Sequence, residues 1–173
     1  MFFELIATFV AGIAGAGVAM LARKLTGGRL ARWIVPVAAG ATMLGVTIAN
    51  EYSWYDRTSA VLPNGIEVAL SVEETVFYRP WTYLRPFVTR FVAVDLASMR
   101  TNDAFPDQRI VNVILYGRWT QTKTFGVIFD CEKGRRADMV ESVDFADDGA
   151  VEGVVWLETG FDDPVVKTAC GRK

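Results

Sequence analysis

Histidine is absent from all 173 residues. That removes the commonest metal ligand and the side chain best suited to moving protons near neutral pH. Cysteine is scarce. Only Cys131 and Cys170 are present, so neither a C-x-x-C pair nor a C-x-x-C-H haem attachment is available. Ser71 and Ser98 lie outside any G-x-S-x-G context and have no histidine to activate them. Glu73 and Glu74 are adjacent, which on a strand sends them to opposite faces and prevents them from working as an acid and base pair. "DFADDG", residues 144–149, begins like a calcium loop, but Ala146 occupies the third ligand position and Val155 the twelfth, so it reads as a hairpin turn. No catalytic, cofactor-binding or metal-binding set emerges. The chain is expected to be non-enzymatic and free of cofactors, with a hydrolase using carboxylates alone as the remaining enzymatic alternative.

Charge is the next scarcity, and it is local. Residues 1–22 carry one charge, Glu4, and residues 33–50 carry none. Beyond Asn50 nineteen acids face fourteen bases, so that region has net charge −5 within a chain of −2. An acidic domain without clustered Lys and Arg argues against nucleic acid as a partner. Arg outnumbers Lys thirteen to five beside abundant Ala, Val and Gly, a bias typical of GC-rich bacterial coding.

The two uncharged runs read as membrane helices. "FFELIATFVAGIAGAGVAMLA" (2–22) is long enough for a hydrocarbon core of about 30 Å, with Glu4 near one end where headgroups and water are in reach. "WIVPVAAGATMLGVTIAN" (33–50) is shorter and is followed by Tyr52, Trp54 and Tyr55 in residues 51–55, ring types that favour the membrane interface. Trp33 suits the opposite interface, and Pro36 falls in a first turn, where its missing N–H removes little. Between the runs lies "RKLTGGRLAR" (23–32), with Arg23, Lys24, Arg29 and Arg32 and no acid. Short loops rich in Lys and Arg stay in the cytoplasm, so both helix exits are expected on the other side. A cleaved signal peptide followed by one anchor is the alternative; "AGA" (14–16) would suit cleavage, but "MFFE" has the wrong sign for a leading basic segment. Two ladders of small residues recur at helical spacing: Ala11, Gly15 and Ala19, then Ala41, Gly45 and Ala49. Such ladders let helix backbones approach closely in lipid, either within the hairpin or against a partner's helix.

Residues 56–173 alternate as strands do. "TSAVL" and "IEVALSV" flank a turn at Pro63, Asn64 and Gly65. Further strands are expected at 87–99, 109–119, 123–131, 135–145 and 151–159, with 101–107 as a loop. Asp162 or Asp163 with Pro164 predicts a helix start and Gly171 its end. The expected fold is therefore a two-helix transmembrane hairpin (1–55) plus a mainly antiparallel β domain (56–173) of six to eight strands with a short C-terminal helix. In an extracytoplasmic setting Cys131 and Cys170 are expected to form a disulfide. A redox-active or metal-binding thiol pair is the alternative.

The stretch from Phe125 to Cys170 resembles small bacterial periplasmic β domains of the surface-adhesin-E type. The residues that carry the likeness are Cys131 at a strand end, Arg135 and Arg136 opening the next strand, Phe145 and Gly149 around a turn, Trp156, and Cys170 in a late helix. "TGFDDP" stands where that family has a proline-glycine-serine segment. The resemblance implies an exported, disulfide-tied sheet and transfers no active site.

One soluble stretch is unusual in composition. "YRPWTYLRPFVTRF" (78–91) interleaves aromatics with Arg79, Arg85 and Arg90. Arg, Trp and Tyr are the types that dominate interface hot spots, and Arg79, Trp81, Tyr83, Arg85 and Phe87 form the candidate partner surface. Ordinary core aromatics with solvated arginines, or contact with lipid headgroups, are the other readings. The expectation overall is a bacterial inner-membrane accessory subunit. Both termini and the β domain would lie on the periplasmic side, with lipid and a larger integral membrane complex as partners and a small-molecule ligand left open. A membrane-tethered sensor or ligand-binding module is the alternative.

Overall fold

The computed structural model describes residues 2–102, 105–139, 144–145 and 151–171. It divides into two units, Met1–Asp56 and Arg57–Lys173.

The first unit is built from α1 (Phe2–Leu25) and the greater part of α2 (Ile34–Ala60). Their 24 and 27 residues correspond to about 36 and 40 Å of helix. Each is long and apolar enough to cross a membrane, and most of that apolar surface is not covered by protein. α1 ends where Gly27 and Gly28 take positive φ, 64° and 82°. The Gly28 amide donates to the Arg23 carbonyl and the Gly27 amide to the Lys24 carbonyl, a Schellman pattern that reverses the chain. Arg23 and Lys24 thus belong to the last turn of α1, and the connection is shorter than the ten-residue loop expected. Arg23 Nε donates to the Leu30 carbonyl at 3.2 Å and ties that connection to the helix. α2 also runs past the expected 33–50 span, through Tyr52, Trp54 and Tyr55 to Ala60. Residues 58–60 are helical in consequence, so "TSAVL" is not the strand its alternation suggested.

The second unit is a curled antiparallel sheet in meander order: β1 (Ile66–Glu74), β2 (Phe87–Asn102), β3 (Phe105–Gly117), β4 (Lys123–Asp130) and β5 (Arg135–Asp138). The expected loop at 101–107 is mostly strand, because β2 and β3 continue to a pairing of Asn102 with Phe105. The strand expected at 135–145 is present as β5 at its start and as β6 (Asp144–Phe145) at its end, with 140–143 outside the described residues; β6 pairs with β7 (Val151–Glu152), which covers only the start of the strand expected at 151–159. The turn expected at 146–150, with Ala146 and Gly149, lies outside the described residues. Trp156 follows β7 without strand structure, and Leu157 makes only an isolated bridge to Arg136.

Period-two alternation decides which face is covered. Val94 pairs with Val113, Val113 with Phe125 and Val111 with Val127, so these side chains share one face. α3 (Pro164–Cys170) packs on it with Val165, Val166 and Ala169, closing a core that includes Phe129. α3 begins as its sequence predicts: the Asp163 carboxylate accepts from the Val165 amide at 2.8 Å, and Pro164 needs no partner there. It ends at Gly171 in the left-handed region. Arg109 of β3 donates to the Ala169 carbonyl at 3.2 Å, placing a cation at the helix C-terminus. Irregular register near Asp95–Arg100 helps the sheet curl. There Ser98 Oγ donates to the Asp95 carbonyl at 2.7 Å and accepts from the Asn112 amide at 3.1 Å, so its hydroxyl fills a bulge.

Candidate partner-binding surfaces

In the hairpin the two small-residue ladders have different fates. Gly12, Gly15 and Ala19 are buried, with Ala11 half-buried beside them. A Cβ at Gly12 would run into Met43, and one at Gly15 would run into the Thr42 side chain and lie 3.0 Å from the Ala38 carbonyl. The first ladder is therefore the seam against α2. Thr42 Oγ1 lies 3.0 Å from the Ala11 carbonyl across the seam, and 3.0 and 2.9 Å from the Ala38 and Ala39 carbonyls of its own helix. The shared hydroxyl proton thus links the helices without leaving a polar group bare to an apolar surround. Thr8, Thr47 and Ser53 satisfy themselves likewise on carbonyls four residues back.

The second ladder does not enter the seam. Ala41, Gly45 and Ala49 are exposed, and a Cβ built at Gly45 would meet nothing within 4 Å. Gly45 also lines an open apolar groove of about 720 Å³ between the helices, with Val18 and Ala22 on one side and Ala38 and Val46 on the other. Helical periodicity could find both ladders. It could not assign them, because only the partner atoms across the seam distinguish an inward glycine from an outward one.

Cys131 and Cys170 lie at disulfide distance, with Cα atoms 5.6 Å apart. The crosslink joins the end of β4 to the last residue of α3. Next to it Asp130 is buried and organises the turn: its Oδ1 accepts from the Glu132 and Lys133 amides, and Oδ2 from Arg135 Nε at 2.9 Å. The Arg135 guanidinium then lies over the Trp156 ring, 4.4 Å from its centroid. Arg136 pairs with Asp163 at 3.7 Å. Sequence reading missed Asp130; its signal was an acid directly before a cysteine and five residues before an arginine.

The aromatic and arginine stretch begins as a loop between β1 and β2 with a 3-10 turn at Pro80–Tyr83, and its residues 87–91 open β2. Thr82, fully buried, holds it. Its Oγ1 accepts from the Val76 amide at 3.0 Å and donates to the Arg79 carbonyl at 2.8 Å. Of the five expected surface residues, Tyr83 and Arg85 are exposed and Arg79 and Trp81 are half-buried. Phe87 is buried in β2 with the Arg79 guanidinium 5.8 Å from its ring, so it does not belong to an exposed partner surface. Phe77, Tyr78 and Leu84, absent from the expected set, are exposed instead.

A second groove, of about 410 Å³, lies at the end of the sheet, where Arg90, Tyr116 and Lys123 meet Val72 and Leu115. Arg90 also pairs with Glu74 at 3.9 Å. Among the described residues no group of three or more acids and cysteines could hold a metal ion.

Comparison of the chain with models of known families, with curated proteins and with solved structures found no match. The likeness to surface-adhesin-E-type domains therefore rests on the individual residues named above.

Proposed function

We propose that the chain is a non-enzymatic accessory subunit of a bacterial inner membrane, which binds or braces a larger membrane complex of respiratory, photosynthetic or transport type. The observation that carries this reading is the outward-facing Ala41, Gly45 and Ala49 stripe beside an apolar groove. In lipid, apolar area alone drives no association, so close backbone approach at small residues is what a helix partner would use. In this reading Arg23, Lys24, Arg29 and Arg32 hold the hairpin tip in the cytoplasm. Both helix exits and the β unit then face the periplasm, where the oxidising setting suits a crosslink at Cys131 and Cys170.

Purification of the tagged chain from native membranes in mild detergent is the test. A stoichiometric integral-membrane partner is expected, and Gly45→Phe should lose it while the chain stays in the membrane fraction. A monodisperse lone protein would sink the reading. A phosphatase reporter fused after Lys173 should be active only outside the cytoplasm. A second reading, a tethered ligand-binding module, is favoured by the sheet-end groove with Arg90 and Lys123, whose cations suit an anionic small molecule. Native mass spectra carrying a bound anion would select it.

A further inference from the structure

We infer that the loop between β1 and β2 is a lipid-contact device that rests its tip in the interface of an anionic bilayer. Four large side chains stand out from this loop: Phe77 is 84% exposed, Tyr78 62%, Tyr83 63% and Leu84 91%. They lie on a loop that is already shaped. Thr82 bonds it internally, and Pro80 and Pro86 restrict its backbone. Little ordering entropy is then lost when a surface meets them. The polar part of the loop has one sign. Residues 75–86, between β1 and β2, hold Arg79 and Arg85 and no acid, in a region whose net charge is −5. The rest of the unit is thus repelled by anionic headgroups while this loop is attracted to them. Phenylalanine and leucine at the tip, tyrosine beside them and arginine behind is the residue order of a segment that sits at the boundary between headgroups and acyl chains. The inference rests on the reading of α1 and α2 as membrane spans, which would keep lipid at high local concentration around the loop.

The test uses the full chain reconstituted in vesicles of phosphatidylethanolamine and phosphatidylglycerol. With Cys131 and Cys170 crosslinked, an introduced cysteine is the reactive thiol. An environment-sensitive fluorophore is placed at Leu84→Cys, with Phe77→Cys as a second site. Leu44→Cys on exposed α2 and Asp138→Cys at the end of β5 serve as lipid and water references. The Leu84 and Phe77 labels should be quenched several-fold more by acyl-chain quenchers than the Asp138 label, and less by aqueous iodide. If they respond like the Asp138 label while the Leu44 label is quenched from lipid, the loop inference falls and the hairpin stands. If the Leu44 label also behaves as in water, the hairpin reading falls and takes the loop with it. Labels shielded in native membranes but exposed in pure lipid vesicles would show that a protein covers the loop, and would overturn the inference.

Discussion

The two units obtain cohesion by opposite means. The β unit buries large side chains: Phe129, Val111, Val127 and Val166 are removed from solvent, and the hydrophobic effect supplies the drive. In the hairpin α1 buries its smallest ones. Gly12, Gly15 and Ala19 form the seam, while Phe3, Val10 and Ile13 are exposed. In water that arrangement would be inside out. In lipid it is reasonable, because apolar surround makes large side chains indifferent and leaves close packing and hydrogen bonding to hold helices together. On the proposed reading of α1 and α2 as membrane spans, the two units use the same residue alphabet in opposite senses.

The contrast can be broken at the crosslink first. Cys170→Ser should destabilise the β unit by about 4 kcal/mol, since the bridged residues are 39 apart in sequence. Thermal unfolding followed through the tryptophans should show the loss, while helix content in detergent stays. Next in size is Asp130→Ala, which leaves Arg135 and two turn amides without their carboxylate and should cost about 2 kcal/mol. Limited proteolysis after residue 130 reports it. Asp163→Ala removes the cap of α3 and should cost about 1 kcal/mol, read from the same unfolding curve. Smallest is Thr42→Val in the seam, about 0.6 kcal/mol, measured by helix-pair association in a bilayer. A Thr42 effect exceeding that of Asp163 would reverse the comparison, because it would mean that polar contacts rather than close packing hold the hairpin.

Much of this architecture was legible in the sequence. The two helices, α3 capped at Asp162 or Asp163 and ended by Gly171, and the strands at 87–99 and 123–131 follow from apolar runs, caps and alternation, the structure choosing Asp163 and ending the last of these strands at Asp130. What failed did so for physical reasons. Residues 58–60 alternate like a strand, but a helix already under way extends by one hydrogen bond per residue and carries them along. "TNDAFPD" has turn composition, yet pairing between long neighbouring strands draws most of it into the ladder. The surfaces were less legible than the fold. Composition marked residues 78–91 as unusual, but burial separated Phe87, which packs, from Phe77 and Leu84, which project. Thr42 reaches a carbonyl 31 residues away across the seam, which no local pattern announces; Thr82 and Asp130 bond within six residues, and it was their burial that the sequence hid.

α3 comes after every strand in the chain. While a ribosome delivers the polypeptide, the strands that form the Val94, Val113 and Phe129 face are made before their cover exists. The half-made sheet is then sticky for as long as synthesis of residues 131–170 lasts. Any shortening that removes α3 would make this temporary state permanent, and the outcome would be aggregation rather than a smaller folded domain.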